Sequence, residues 1–297
     1  MKNLCIAALL ILFCFKINAA GTIVGTIPIT GTSIGMFEKF EVGVQLSASY
    51  SNPYDPDVVS LQAVFTSPSG KQYPVNGFFY RDYTTDDTKQ ACDDNPITYS
   101  AHWKELATSY NWRLRFAPNE IGAWTYTITL YESASHNTVV YHNNNLHFDC
   151  SPSSNHGYLA VSGNKRFLEY TDRTSFFGIA SNFSFYNGRN TLPTSVLPAA
   201  SCSLVNGCTL GPQCAPLCSN PNGFRHTTVA QAMMTKWLSD FSAVGGNMAR
   251  VWMTPTCGLG IEWEKLNNYD NRQNRAWELD NLIDLCHTKG IYIPRSP

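Results

Sequence analysis

The sequence predicts a multidomain protein in which an all-β sandwich is followed by an incomplete α/β barrel of the (β/α)₈ type. Three observations predict this: period-two apolar alternation from Thr22 to about Cys150, alternating helices and strands after Thr227, and the chain length. Such a barrel needs roughly 250 residues. The whole chain has 297, and the sandwich takes up so many of them that too few remain for a complete barrel. We divide the sequence into a targeting segment at 1–20, a sandwich at 21–155 and the first part of a barrel at 156–297.

The first twenty residues have the pattern of a secretory signal peptide. Lys2 supplies a positive start, Leu4–Phe15 is apolar, and Asn18-Ala-Ala20 offers small residues for cleavage. The apolar run is short for a bilayer-spanning helix. We therefore expect a secreted, extracellular protein with no membrane association after cleavage.

Composition excludes one class of partner and leaves another open. Charged residues make up 14% of the chain and the net charge is −1, with no basic run. A nucleic-acid partner is not expected, because phosphate binding requires clustered positive charge. Aromatic residues make up 13%, which suits either a β-sandwich core or a surface on which sugars stack.

The cysteines predict disulfides. Of the ten, Cys5 and Cys14 lie in the targeting segment. An even number in an oxidising compartment favours disulfides, but spacing does not fix their pairing. The disulfide candidates are Cys92, Cys150, Cys202, Cys208, Cys214, Cys218, Cys257 and Cys286. Cys92 and Cys150 are one plausible pair.

A zinc site at 202–218 is the alternative for the four cysteines there, although the intervals of five, five and three residues fit zinc pairs poorly. We predict no metal and no cofactor.

Four segments alternate apolar and polar residues and are separated by turn residues. They are Phe40–Leu46, Val59–Phe65, Trp112–Phe116 and Trp124–Leu130. Short strands with this pattern predict an antiparallel sandwich in which each sheet has one buried and one solvated face.

The second half switches to helical periodicity. A first helix follows Thr227 and Thr228 and ends at Gly245, with a predicted core stripe of Val229, Met233, Trp237 and Phe241. A strand at Met248–Met253 follows. A second helix at Ala276–Lys289 has a predicted stripe of Ala276, Leu279, Ile283 and Cys286, and Ile291–Ile293 starts another strand. Alternating strands and helices predict a parallel sheet.

Several segments resemble a known family. They are Phe37–Val44, Phe65–Gly70, Pro74–Phe79, Trp112–Pro118 and Gly122–Tyr126. They resemble the immunoglobulin-like module called domain of unknown function 5060, which commonly precedes glycoside hydrolase barrels. Phe176–Ala180, Gly245–Trp252, Gly258–Glu264 and Ala276–Ile293 look like the first three strands of such a barrel.

The resemblance implies a secreted glycoside hydrolase that acts on a β-linked polysaccharide or oligosaccharide with retention. Retaining enzymes use two carboxylates about 5–5.5 Å apart. In this broad clan these carboxylates sit at the ends of the fourth and seventh barrel strands, which this chain does not reach. We therefore assign no catalytic residue and predict that the chain as written is an inactive fragment.

Candidate substrate-binding residues lie where predicted strands end, because barrel sites collect at that rim. They are Asn182, Arg250, Trp252, Glu262 and Trp263. The resemblance implies that Arg250 orients the nucleophile; an ordinary ion pair or a buried arginine is the alternative. Trp252 could equally be a packing residue, Trp263 is favoured as a sugar platform by its loop position, and Glu262 could be a solvated loop charge.

Two rival functions remain open. One is a non-catalytic extracellular sandwich that binds a carbohydrate or a protein. The other is a hydrolase with an unfamiliar site built from Glu262, Glu264 and Asp280. The sequence predicts neither the oligomeric state nor the linkage of the polysaccharide.

Overall fold

The computed structural model describes residues 21–85, 103–132, 139–183, 228–251 and 269–294, together with Met253, Leu259 and Ile261. This part of the chain is mostly β-sheet, with two α-helices. Neither helix has the length and apolarity that crossing a bilayer requires.

The N-terminal unit is a sandwich of two sheets. Its strands are β1 (Ile23–Pro28), β2 (Ser33–Gly35), β3 (Phe40–Leu46), β4 (Ser60–Thr66), β5 (Gln72–Asn76), β6 (Phe78–Phe79), β7 (Tyr83–Thr85), β8 (Trp103–Glu105), β9 (Trp112–Phe116), β10 (Gly122–Tyr131) and β11 (Val139–Ser151). One sheet has the order β1-β3-β9-β6, and the other has the order β2-β11-β10-β4-β5. All pairs are antiparallel except β2 with β11. β7 and β8 form a separate ribbon.

The predicted alternation places an aromatic core between the sheets. Phe40 stacks on Phe148 with ring centroids 4.0 Å apart, and Phe65 stacks on Phe116 at 4.4 Å. Trp124 is fully buried and donates its indole N–H to the carbonyl of Glu120. The prediction of an immunoglobulin-like β-sandwich is confirmed, and these aromatic residues belong to its core.

The prediction that the other face of each sheet is solvated is wrong for the sheet that contains β3 and β9. Glu41 and Arg113 occupy the positions between the core residues of these strands, yet they are only 6% and 3% exposed. Both charges are paired within the sandwich: Glu41 contacts Arg113 and Arg115, and Arg113 also contacts Asp82. Such pairing makes burial of the charges tolerable. The second half of the chain reaches this face through Asp280, which binds Arg115.

The second unit begins with a small antiparallel sheet and continues with a parallel one. Its elements are β12 (Leu159–Val161), β13 (Leu168–Tyr170), β14 (Ser175–Phe176), β15 (Ala180–Phe183), α1 (Thr228–Ala243), β16 (Met248–Val251), a 3₁₀ helix (Asp270–Arg272) and α2 (Gln273–Thr288). β13 and β14 form a hairpin around Asp172-Arg173. Phe176 therefore ends this hairpin, and the first parallel strand is β15 rather than the predicted Phe176–Ala180.

The parallel segment has the order β15, β16 and then the chain at Tyr292. β15 pairs with β16 in parallel, and Met248 forms a parallel bridge with Tyr292 on its other side. Both helices pack on one face of this sheet. One apolar cluster joins them: Phe183, Met234, Leu238, Ala249, Leu259, Leu282, Cys286 and Ile291.

The predicted helical stripes are only partly correct. In α1, Phe241 packs against the core as predicted, whereas Trp237 is 37% exposed and its neighbour Leu238 is buried. One residue corresponds to about 100° around a helix, so Trp237 points away from the core. The side chains of Val229 and Met233 lie outside the described residues. In α2, Cys286 is buried as predicted, but Ile283 is 45% exposed and Leu282 fills the core position.

The cysteines that the structure describes do not form disulfides. Cys150 and Cys286 are free and buried, so the disulfide prediction is wrong for both. Cys150 lies in the sandwich core and Cys286 in the core around α2, which are separate clusters. Burial raises the pKa of the Cys150 thiol, and it raises that of Cys286 to about 12. The other six disulfide candidates, at positions 92, 202, 208, 214, 218 and 257, lie outside the described residues.

We expect Cys150 and Cys286 to react with iodoacetamide only after the protein is denatured. The reagent needs a solvent-accessible thiolate, and both side chains are buried and protonated at neutral pH. Peptide mapping by mass spectrometry, without reductant, compares alkylation in native and denatured samples. Recovery of either cysteine in a disulfide-linked peptide would contradict this assignment.

Candidate functional site

The structure brings together two of the predicted substrate-binding residues. Asn182 on β15 and Arg250 on β16 are register partners in the parallel pair. Both are exposed, whereas their neighbours Phe183 and Ala249 are buried against the helices. Because successive side chains of a strand point to opposite faces, Asn182 and Arg250 share the face that carries no helix.

The remaining predicted residues are not brought into this pair. Trp252, Glu262 and Trp263 lie outside the described residues, as does Glu264. Asp280 lies on α2 and binds Arg115 of the sandwich. The rival site built from Glu262, Glu264 and Asp280 is therefore not favoured, since the Asp280 carboxylate is already held in an ion pair away from the strand ends.

The most developed polar arrangement lies between the two units. We call it the junction network: Glu41, Asp82, Arg113, Arg115 and Asp280. β3 and β9 pair so that Glu41 lies opposite Arg115. The Glu41 carboxylate contacts both guanidinium groups, with 3.2 Å between its Oε1 and Arg113 Nε and a hydrogen bond from Arg115 Nε to its Oε2. Arg113 also donates to Asp82.

Arg115 connects the sandwich to α2. Its two terminal nitrogens donate to the two carboxylate oxygens of Asp280 at 2.9 and 2.7 Å. The guanidinium also lies over the rings of Phe78 and Tyr80, 4.9 and 5.1 Å from their centroids. A planar guanidinium suits this arrangement because it can bind a carboxylate with two parallel hydrogen bonds and still stack on aromatic faces.

Two side chains at this junction, Arg115 and Tyr80, have shifted pKa values. Burial alone would lower the pKa of Arg115, but the hydrogen bonds and charges of Asp280 and Glu41 outweigh it and raise the pKa. Burial, followed by the charge of Asp280, raises the pKa of Tyr80 above its usual range. Near neutral pH Arg115 therefore stays charged and the Tyr80 hydroxyl stays protonated.

More exposed contacts surround the network. Lys39 binds Asp284 at 2.8 Å, and His287 Nε2 lies 3.0 Å from a carboxylate oxygen of Glu38. At the 3₁₀ helix that precedes α2, the Tyr54 hydroxyl donates to Asp270 at 2.9 Å. Exposed pairs of this kind each add little stability, whereas the Arg115–Asp280 pair that joins the units is less exposed, at 26% and 19% of the two side chains.

Sequence reasoning missed this junction, although it left a signal. Asp280, Asp284 and His287 recur at helical spacing on α2, on a stripe different from the apolar one. Glu41, Arg113 and Arg115 occupy the presumed solvated face of two strands. Charged residues on this stripe of α2 and on this face of the sheet could have indicated that the helix and the sheet contact each other.

Among the residues that the structure describes, no group of three or more histidine, cysteine, aspartate or glutamate side chains is arranged to hold a metal ion.

The fold defines the class of this protein as an immunoglobulin-like β-sandwich followed, in the part of the chain that the structure describes, by a smaller unit with two helices. Residues 33–131, from β2 to the end of β10, match the family model described as "Domain of unknown function (DUF5060)". This part of the sandwich is therefore similar to that family. The structure also matches the "Crystal structure of the Lin-41 filamin domain" at 13% sequence identity and a TM-score of 0.23, over 43% of this chain and 92% of that chain. The comparison with curated proteins found no match.

Proposed function

We propose that this chain supplies the supporting sandwich and the first strands of a (β/α)₈ barrel in a secreted glycoside hydrolase that acts on β-linked polysaccharide. The observation that carries the proposal is the parallel segment with both helices on one face. An open doubly wound sheet has helices on both faces, whereas a barrel has all of its helices outside. The helix-free face of β15 and β16 is then the interior of the barrel.

Asn182 and Arg250 are the polar groups that this interior face presents. A guanidinium donates paired hydrogen bonds to a carboxylate or to neighbouring sugar hydroxyls, and a carboxamide both donates and accepts. We propose that Asn182 and Arg250 both bind substrate hydroxyls and that Arg250 also orients the catalytic nucleophile. The nucleophile and the acid/base residue would come from later barrel strands, so the roles of these two side chains are binding and orientation.

The sandwich has a mechanical role in this proposal. The junction network fixes α2 on the outer face of β3 and β9, and α2 in turn packs against the parallel sheet. A sandwich docked in this way holds the early barrel strands in place while their helix-free face remains available to substrate.

Oligosaccharide binding by the full chain tests the proposal. We expect weak binding of β-1,4-linked hexaoses of glucose or mannose, measured by calorimetry. Arg250→Ala should weaken this binding about tenfold, the effect of losing one charge-assisted interaction of about 1.4 kcal/mol. Arg166→Ala is the matched control, because Arg166 is an exposed arginine in the turn between β12 and β13 and should have no effect.

Two results would contradict the proposal. Equal affinity of Arg250→Ala and the unmodified chain would remove Arg250 from the substrate site and favour the non-catalytic alternative. Hydrolysis of β-glucan or β-mannan by the chain itself, abolished by Glu262→Gln, would establish the rival hydrolase site instead.

A further inference from the structure

A cleft between the sandwich and α2 has the chemistry of a second binding site, distinct from the Asn182–Arg250 face. Its volume is about 440 Å³, within the range of small-molecule pockets. Aromatic side chains line much of it: Tyr54, Phe78, Phe79, Trp112 and Tyr269. Residues of the sandwich and of α2 both contribute, so the site exists only when the two units are docked.

Two buried polar atoms in this cleft have no hydrogen-bond partner among the residues that the structure describes. One is Oε1 of Gln273, in the first turn of α2, and the other is Oγ of Ser60, at the start of β4. Gln273 is 3% exposed. Buried polar atoms are nearly always hydrogen-bonded, because leaving one unpaired destabilises the folded state. An occupant that supplies hydrogen bonds would explain why both atoms face the same cleft.

The charges around the cleft favour a neutral occupant. Arg115 and Asp280 both line it, but they bind each other through two hydrogen bonds. Neither charge is left to attract an ion. The carboxamide oxygen of Gln273 accepts hydrogen bonds, so the occupant must donate one, and the Ser60 hydroxyl can donate or accept.

We propose that this cleft binds a neutral sugar ring, either one monosaccharide or the terminal unit of an oligosaccharide. A pyranose has hydroxyl donors at its rim and apolar C–H faces, which match the polar atoms and the aromatic lining. Ser60 and Gln273 bind ring hydroxyls, and the aromatic side chains contact the apolar face. The site goes beyond the proposed barrel function and does not involve Arg250.

Substitution of Gln273 separates a binding role from a structural one. Gln273→Leu removes an unpaired buried polar atom, so the ligand-free protein should melt at the same temperature or higher. The same change should weaken sugar binding about tenfold. Ser60→Ala should also weaken sugar binding. Gln72→Leu, an exposed position on β5 that does not line the cleft, is the matched control and should leave binding unchanged.

The experiment is a titration of the full chain with glucose, mannose, cellobiose and mannobiose, followed by saturation-transfer NMR and calorimetry. Gluconate serves as a charged probe and indole as an apolar one. Binding of a neutral sugar that both cleft variants weaken, while Gln72→Leu and Arg250→Ala do not, supports the proposal. Failure of all four sugars to bind at millimolar concentration would overturn it, and so would binding that both cleft variants leave intact. Preference for indole or gluconate over the sugars would also overturn it.

Discussion

Replacing Glu41 with alanine is expected to lower the free energy of unfolding by about 3–5 kcal/mol. The carboxylate lies between the guanidinium groups of Arg113 and Arg115 and contacts both. Without it, two like charges remain close together, and one of them, Arg113, is only 3% exposed. Removing one partner from a buried ion pair is costly because the remaining charge stays buried without compensation.

Denaturation with urea, monitored by circular dichroism, measures this effect. Glu105→Ala is the control, because Glu105 pairs with Arg81 at 3.3 Å in a setting where its side chain is 45% exposed. That variant should lose less than about 1 kcal/mol. If the two glutamate variants lost similar stability, the face of β3 and β9 would be solvated in solution.

Replacing Arg115 with alanine is expected to lower the free energy of unfolding by about 3 kcal/mol. This change leaves the carboxylates of Glu41 and Asp280 facing each other and exposes the rings of Phe78 and Tyr80 that the guanidinium covers. Arg115→Lys should recover only part of the loss, because an ammonium group cannot bind both Asp280 oxygens in parallel and stack on the rings. Urea denaturation of the two variants, together with hydrogen exchange of the α2 amides, measures both effects.

Arg173→Ala provides the comparison for Arg115. Arg173 also pairs with a carboxylate, that of Glu169, but its side chain is 79% exposed, so its loss should change stability by less than about 1 kcal/mol. An Arg115→Lys variant as stable as the unmodified protein would show that only the positive charge matters at this position.

The sequence predicted the features that depend on local periodicity. Alternation along Phe40–Leu46 and Trp112–Phe116 placed the inner residues of β3 and β9 correctly, because a strand has a strict period of two. The glycine that ends the first helix was also placed correctly: Gly245 has a φ value of 87°, a conformation that glycine adopts without strain.

The sequence did not predict features that depend on contacts between distant segments. Alternation identifies two faces of a strand but does not say what covers the second, so the burial of Glu41 and Arg113 was missed. The prediction for α2 failed for the same reason, because this helix packs on two sides. Leu282 and Cys286 face the core of the second unit, and Asp280 faces the sandwich. A helix packed on two sides has no single apolar stripe, and the predicted stripe mixed the two faces.

The candidate site was predicted in part. Asn182 and Arg250 were expected at the same rim because strand ends in a parallel sheet lie at one edge, and the structure makes them register partners on β15 and β16. Their role in substrate binding stays a prediction. The cleft beside Gln273 was not predicted, because Ser60 and Gln273 are 213 positions apart by their numbering (273 − 60). No local pattern joins residues at that separation.

A double-mutant cycle between Arg115 and Asp280 tests most directly whether the sandwich and α2 are held together by the junction network. The measurement compares the unfolding free energies of Arg115→Ala, Asp280→Ala, the double variant and the unmodified chain. A docked junction predicts a coupling energy of about 1.5–3 kcal/mol, as found for close charge pairs at partly buried interfaces. A coupling energy near zero would show that the two residues do not meet in solution, and the docking of the two units described above would then be incorrect.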